Sequence, residues 1–303
     1  GHGVTPTTVC SVGELDMGYV ITGEQGTSTF KIQNTCSVPL PYSLQLDSLS
    51  STEDEDQQKI PSLVTSPLQR TGFVGTQNYD GLSAFSISPA EGELVAGNSQ
   101  DFTVTFSPDH ESLFYSDRLK AVLFGKKTAH VIHLKGAARD HPMFVEGGIP
   151  LEVPVESLAV PAPALLQEAL AGGMIVYFIP LSLEPKSAKS ILLVLECLEG
   201  ESSAPARAEL RVGSIHTPFV SKKVKSLEFS FESPQVLQQK GFTLEATKGK
   251  VERGRVKRIG VSWVPPAGCR AGDPLLVTAL LTLKYDVKET YQIFLMARVV
   301  SAS

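Results

Sequence analysis

The fold is decided by the stretch FSISPAEGELVAGNSQDFTVTFSP, which occupies Phe85–Pro108. A second stretch, FTLEATKGKVERGRVKRIGVSWVP, occupies Phe242–Pro265 and aligns with the first without a gap. Five positions are identical, two of them glycines, and the apolar residues around them fall in register. A segment that returns in this form indicates that one structural unit occurs twice along the chain.

Each stretch ends in the pattern of a half-buried β-strand, because apolar side chains fall at alternate positions. Two glycines precede that strand and predict a turn with positive φ, and a proline ends it because proline cannot donate to a ladder. We therefore predict a strand, a turn and a strand in each copy, with the alternating side chains in a core. These side chains are Phe102, Val104 and Phe106 in the first copy and Ile259, Val261 and Trp263 in the second.

Further pairs of similar segments lie outside the repeated stretch. ELDMGYVIT at Glu14–Thr22 matches ELRVGSIHT at Glu209–Thr217, and each is followed by an alternating segment, TFKIQN in the first half and LEFSFES in the second. The closing segments VIHLKGAAR and YQIFLMARV also correspond. The sequence therefore predicts the same order of elements in both halves.

A length of 303 residues is enough for two domains, and 42% hydrophobic with 19% charged residues is an ordinary globular composition. Short strands separated by turn signals predict an all-β fold, with two immunoglobulin-like antiparallel sandwiches in tandem. The first domain is predicted at 1–140, with an inserted surface loop at about 48–80. A connector with a short helix is predicted at 141–173, and the second domain at 174–303, with its repeat core at 206–299. The strands predicted in the first domain lie near 15–21, 27–34, 40–46, 83–88, 100–107, 117–124 and 129–136.

These motifs resemble the ASH domain, an immunoglobulin-like relative of the major sperm protein fold that occurs in the ciliary protein Hydin and in centrosomal proteins. The resemblance rests on ELDMGYV, on the F-x-I-x-P-x-x-G step at the start of the repeated stretch, and on its closing V-x-F-x-P strand. It covers most of residues 10–138 and, more loosely, 206–299. The second half looks most like the cilia- and flagella-associated proteins of the axonemal central pair.

Charge divides the two halves of the chain. Residues 1–140 contain nine Lys and Arg against sixteen Asp and Glu, whereas residues 206–303 contain sixteen against eight. The turn of the first repeat carries Glu91, Glu93 and Asp101, and the matching turn of the second repeat is basic. This basic stretch is either a soluble turn or a contact for an acidic partner such as a neighbouring scaffold protein or the acidic tails of tubulin. The candidate contact residues are Lys248, Lys250, Arg253, Arg255, Lys257 and Arg258.

Patterns typical of an enzyme or a metal site are not found. His130 and His133 are three apart on a predicted strand, so they face opposite sides and cannot bind one metal ion together. The acidic run EDED at 53–56 lacks the spacing and the turn glycine of a calcium loop. The segments YSDR and DHES contain Ser, His and Asp, but nothing positions a base on a nucleophile. We expect no catalytic residues, no cofactor, no metal and no small-molecule substrate.

Other partner classes are also disfavoured. The basic stretch lacks the interleaved aromatic residues of a single-strand nucleic-acid site, and the most apolar window, at 158–183, is interrupted by Gln167, Glu168 and prolines. We therefore expect neither nucleic acid nor membrane as a partner. Four scattered cysteines without a C-x-x-C pair are typical of reduced, mostly buried thiols in an intracellular protein.

The resemblance implies a non-enzymatic structural scaffold of the motile-cilium axoneme that helps to assemble a central-apparatus projection for ciliary motility. It implies other central-apparatus proteins, and tubulin, as partners, and a location in the cytoplasm, the cytoskeleton and the cilium axoneme. An alternative function is an immunoglobulin-like module that recruits peptide motifs in centrosomal or trafficking complexes through strand addition. A carbohydrate-binding sandwich is a weaker alternative, because it needs exposed aromatic residues and the one Trp is at a predicted core position.

Overall fold

The computed structural model describes residues 5–50, 75–151, 189–200, 204–216 and 226–301. The described residues divide into two compact units, the first ending at Asp140 and the second beginning at His141. Each unit consists of two β-sheets with an apolar core, which confirms the predicted all-β, tandem immunoglobulin-like fold class.

Among its described residues, the first unit contains all seven predicted strands and two further short ones. One short helix, α1 at Asp47–Ser50, lies at the start of the inserted segment, of which residues 51–74 lie outside the described part of the chain. The strands are β1 (Thr8–Cys10), β2 (Glu14–Ile21), β3 (Gly26–Asn34), β4 (Leu40–Leu46), β5 (Phe85–Ser88), β6 (Glu91–Leu94), β7 (Ser99–Phe106), β8 (Ser112–Leu123) and β9 (Lys127–Arg139).

The second unit repeats this series and adds one strand at its beginning. A second short helix, α2 at Pro234–Gln239, starts with the proline that favours a first helical turn. The strands are β10 (Met143–Glu146), β11 (Ile149–Pro150), β12 (Lys189–Leu198), β13 (Ala206–Ser214), β14 (Glu228–Phe231), β15 (Phe242–Leu244), β16 (Lys248–Lys250), β17 (Val256–Trp263), β18 (Leu275–Lys284) and β19 (Lys288–Val300).

The two units share one strand order. The smaller sheets run β1-β3-β7-β5 and β10-β13-β17-β15, and the larger sheets run β2-β9-β8-β4-β6 and β11-β12-β19-β18-β14-β16. Apart from the additional β11, every strand has a counterpart in the other unit. Each larger sheet contains one parallel pair, β2 with β9 and β12 with β19, in an otherwise antiparallel ladder, whereas the sequence predicted antiparallel pairing throughout. Parallel pairing is possible there because several intervening strands carry the chain back to its starting end.

The repeated stretch is more elaborate than the predicted strand, turn and strand. Phe85 on β5 pairs with Phe106 on β7, and Phe242 on β15 pairs with Trp263 on β17, in the same register. Between these partners the chain crosses to the larger sheet, where β6 pairs with β4 and β16 pairs with β14. The predicted turn therefore contains an additional edge strand in each copy.

The predicted structural correspondence between Glu14–Thr22 and Glu209–Thr217 is wrong. Strand β2, which contains the first segment, pairs in parallel with β9, and its counterpart in the second unit is β12. Strand β13, which contains most of the second segment, pairs with β17 and is the counterpart of β3. TFKIQN and LEFSFES likewise lie on non-equivalent strands, β3 and β14. Alternating strands resemble one another because they share a period, even when their partners differ.

The alternating side chains of the repeat fill the core of each unit, as predicted. Phe106 is fully buried and stacks on Phe85 with ring centroids 4.9 Å apart. Trp263 is 1% exposed, packs against Phe242, and its indole Nε1–H donates to the Lys240 carbonyl at 3.1 Å. The single Trp is therefore a core residue whose one polar group is satisfied.

The segment between the units begins with two strands. Strand β10 extends the smaller sheet of the second unit by pairing with β13, and β11 pairs with β12. Residues from 143 to 150, predicted as the start of a connector, are thus part of the second sandwich. The apolar segment SILLVLECL at 190–198 is contained in β12. The rest of the predicted connector, from residue 152 onwards, lies outside the described residues.

Candidate interaction surface

The basic residues lie on β16, on the turn after it, and at the start of β17. The turn is closed by the Arg255 N–H, which donates to the Glu252 carbonyl at 3.0 Å, and Gly254 has a φ of 69°. Positive φ at this position favours glycine because other side chains are strained there. The Ser214 N–H donates to the Arg255 carbonyl at 2.9 Å, which connects the turn to β13.

The first unit builds the same turn from different residues. The Asn98 N–H donates to the Val95 carbonyl at 3.1 Å, Gly97 has a φ of 72°, and the Asn34 N–H donates to the Asn98 carbonyl at 2.9 Å. The backbone of the turn is therefore conserved between the two units, while the charges around it are reversed.

The first glycine of each repeat does not serve the turn, which corrects the predicted role of that pair. Gly92 and Gly249 lie inside β6 and β16, opposite Tyr42 and Phe229 on the neighbouring strands. A Cβ on Gly92 would lie 2.9 Å from the Tyr42 hydroxyl, and one on Gly249 would lie 2.9 Å from the Phe229 ring. Glycine is required at both positions because an aromatic ring of the neighbouring strand lies directly against it.

All six candidate basic residues are exposed, but they fall into two groups. Lys248 and Lys250 lie on β16, and Lys257 extends over the Phe229 ring with its Nζ 5.5 Å from the ring centroid. Arg258 instead points towards β13, where its Nε lies 4.0 Å from Glu209 Oε1. Arg253 and Arg255 occupy the turn between the two groups.

The ion pairs around these residues are exposed and long. Lys250 Nζ lies 3.9 Å from Glu228 Oε1, and the Lys250 side chain is 77% exposed. Exposed pairs of this kind contribute about 0–1 kcal/mol, so Lys250 and Arg258 can exchange their present partners at little cost. The positive charge of the stretch is therefore accessible to an external acidic group.

Arg211 is a basic residue of this surface that the sequence analysis missed. It lies opposite Arg258 in the β13–β17 ladder, and its Nε donates to Glu146 Oε1 at 3.0 Å. This hydrogen bond, followed by the charge of Glu146, raises the pKa of Arg211 above its ordinary value. The only signal in the sequence was the alternation of charged and apolar residues in ARAELRV.

The structure places Asp117 of YSDR and His110 of DHES in different contacts. Asp117 is buried and accepts hydrogen bonds from the hydroxyls of Ser48 at 2.5 Å and Ser83 at 2.8 Å. His110 Nδ1 lies 2.6 Å from Asp109 Oδ1. His130 contacts the Thr8 hydroxyl at 2.7 Å, and burial is the main cause that lowers its pKa.

Within the described ranges, no three His, Cys, Asp or Glu side chains come together as metal ligands. The acidic run at 53–56 lies outside those ranges. All four cysteines are free: Cys36 and Cys197 are buried, Cys10 is partly buried, and Cys269 is exposed. No helix in the part of the chain that the structure describes is long and apolar enough to span a bilayer.

Two sandwiches of one strand order, with turns of opposite charge, define a tandem immunoglobulin-like protein with an exposed basic surface on its second unit. Over 309 residues the chain is 40% identical to cilia- and flagella-associated protein 74 of Homo sapiens, and the match includes 99% of this chain. The Mus musculus protein of that name is 40% identical over 306 residues and 99% of the chain. The chain is similar to cilia- and flagella-associated protein 74, one of the group of proteins that its second half resembles, and it spans 16% of the length of these two relatives.

Three more distant comparisons each cover less than half of this chain. The Chlamydomonas reinhardtii protein of the same name is 29% identical over 142 residues, which is 47% of this chain and 6% of that protein. The ASH / PapD-like domain of human CEP192 aligns with 46% of this chain and 96% of its own length, with a TM-score of 0.30 and 14% identity. WR4, a Caenorhabditis elegans member of the MSP family, aligns with 44% of this chain and 97% of its own length, with a TM-score of 0.24 and 9% identity. No family model matches the chain.

Proposed function

We propose that this chain is a non-enzymatic structural segment of the motile-cilium axoneme, where it helps to assemble a projection of the central apparatus. The single observation that carries the proposal is its 40% identity, over nearly its whole length, to a protein named for cilia and flagella. The proposed location is the axoneme within the ciliary cytoskeleton. The proposed partners are other central-apparatus proteins and tubulin.

The mechanism follows from the architecture of each unit. Buried aromatic and aliphatic side chains hold two sheets together, so each sandwich presents its loops and edges in a fixed arrangement. Contacts of a standard size, about 800 Å² per partner, become stable in a large assembly when several of them act together. The basic surface around the β16–β17 turn is the contact we assign to an acidic partner, because its six cationic side chains are exposed.

The basic surface can be tested by charge reversal. The variant R253E/R255E/R258E should lose co-sedimentation with microtubules, or with an acidic central-apparatus protein, because it replaces attraction by repulsion at the turn. Binding of the unaltered chain should weaken as salt rises. K126E/K127E/K288E is the matched control, since it changes the net charge equally at exposed positions elsewhere. Equal binding by both variants, insensitive to salt, would exclude this surface as the contact.

A second function, recruitment of short peptides by strand addition, is favoured by one observation. Strands β6 and β16 are at the ends of their sheets, so an extended peptide could pair with either. A pull-down with a peptide library separates the two functions: one dominant short ligand supports the recruiter, and a set of large axonemal proteins supports the scaffold. Localisation of the full-length protein in motile ciliated cells, to the central pair or to the centrosome, is an independent test.

A further inference from the structure

The two terminal strands β6 and β16 occupy the same position in the larger sheets of the two units. Strand β6 pairs with β4 on one side, and β16 pairs with β14 on one side. On their other sides neither pairs with any strand among the described residues. Within the part of the chain that the structure describes, both edges therefore present unpaired backbone N–H and C=O groups, which are a template for another strand.

The residues of the two edges are complementary in charge and alike in shape. The first edge reads Glu91-Gly92-Glu93-Leu94, and the second reads Lys248-Gly249-Lys250-Val251. The four charged side chains are exposed, and the apolar residue that ends each segment is buried. Glycine lies between the charges in both, at the point where an aromatic ring from the neighbouring strand lies alongside.

We propose that the β6 edge of one copy pairs with the β16 edge of a second copy in an antiparallel ladder. With Gly92 opposite Gly249, the antiparallel register places Glu91 opposite Lys250 and Glu93 opposite Lys248. Opposite charges directly across a ladder are favourable, and like charges are unfavourable. Pairing of two β6 edges, or of two β16 edges, would place like charges together, so the charges select the mixed pair.

The existing contacts of these side chains permit the exchange. Lys250 has a long, exposed contact with Glu228, with 3.9 Å between Nζ and Oε1. Lys257 covers Phe229 beside Gly249 and adds a third positive charge close to this edge. A second copy that brings two carboxylates to β16 therefore meets three lysines, of which Lys250 has only a long, exposed contact with a carboxylate.

The contact is heterologous, because it joins the first unit of one copy to the second unit of another. Repeated heterologous contacts form a ring when the rotation between copies closes, and an open row of copies when it does not. Each ladder is short, so a single contact is weak and a row depends on repetition. The inference goes beyond the proposed function, since the partner here is the same chain and not an axonemal protein of another kind.

The test measures self-association of the whole 303-residue chain by sedimentation velocity at rising concentration. The unaltered chain should associate, and the association should weaken with added salt. E91K/E93K makes both edges basic, and K248E/K250E makes both edges acidic. Each variant alone should therefore associate only at a protein concentration about tenfold or more above that of the unaltered chain. An equimolar mixture of the two variants should associate again, because one supplies basic edges and the other acidic edges.

Matched controls separate the edges from net charge and from folding. K126E/K127E and D273K/D286K change the net charge by the same amounts at exposed positions away from the edges and should associate like the unaltered chain. Restored association in the mixture also shows that both edge variants are folded. A monomeric unaltered chain, or a mixture that associates no better than its components, would overturn the proposal. R253E/R255E/R258E, which tests the acidic partner, should leave self-association in place, so either idea can fail alone.

Discussion

At the scale of single residues, two glycines show how the repeat encodes packing. Gly92 and Gly249 align in sequence, lie in equivalent strands, and face Tyr42 and Phe229 across equivalent ladders. From the sequence we predicted that these glycines form a turn, which is not where they lie. Glycine is required at these positions because an aromatic ring from another strand, distant in sequence, lies too close for a Cβ.

Substitution of these glycines should therefore destabilise the protein without any defect in a turn. Gly249→Ala brings a methyl group to 2.9 Å from the Phe229 ring and 2.8 Å from Lys257 Nζ, which is too close for undisturbed packing. We expect a loss of about 1–3 kcal/mol in the free energy of unfolding, measured by denaturant titration.

Gly13→Ala is the control for this substitution, because nothing lies within 4 Å of the Cβ that it adds and its φ is not positive. A change within about 0.5 kcal/mol is expected for it. Equal stabilities of the Gly13 and Gly249 variants would contradict the role of the aromatic ring.

At the scale of elements, one buried carboxylate connects the two ends of the inserted segment. Ser48 lies at the start of the insertion and Ser83 follows its end, and both hydroxyls donate to Asp117 on β8. The Arg118 N–H also donates to Asp117, at 2.8 Å. A 1% exposed carboxylate with several donors is a satisfied buried charge that fixes where the insertion leaves and rejoins the sandwich.

Asp117→Asn keeps the side-chain volume but removes the charge and replaces one acceptor oxygen by a donor. The substitution therefore disturbs either the two serine hydroxyls that donate to Oδ2 or the backbone N–H groups of Ser48 and Arg118 that donate to Oδ1. We expect the first unit to lose about 1–3 kcal/mol in the free energy of unfolding. Asp101→Asn is the control, because the Asp101 side chain is 68% exposed and the substitution would weaken an exposed contact with Lys31 Nζ at 3.7 Å. A stability of the Asp117 variant as high as that of this control would show that the carboxylate does not hold the insertion.

At the scale of the whole molecule, each unit has its own core built from its own repeat. Phe106 belongs to the cluster of the first unit, and Trp263 to that of the second. Because the two cores share no residue, we expect each unit to unfold in a cooperative transition of its own.

Trp263→Ala should then destabilise the second transition by about 3–5 kcal/mol and leave the first unchanged, while Phe106→Ala should have the converse effect. Differential scanning calorimetry of the whole chain measures both transitions. Val264→Ala is the neighbouring control, since its side chain is 53% exposed. A single transition that both core variants shift equally would contradict independent units.

The sequence by itself determined the alternation of buried side chains, the repeat between Phe85–Pro108 and Phe242–Pro265, and the reversal of charge between the two turns. These are local properties, because the period of a strand and the φ of a turn glycine depend on neighbouring residues. The tertiary structure alone decided that β12 is the counterpart of β2, that Arg211 lies beside Arg258, and that two short charged segments are edge strands. Short segments rich in Gly, Glu and Lys have little tendency to form strands on their own, and β6 and β16 do so because β4 and β14 supply their hydrogen-bonding partners.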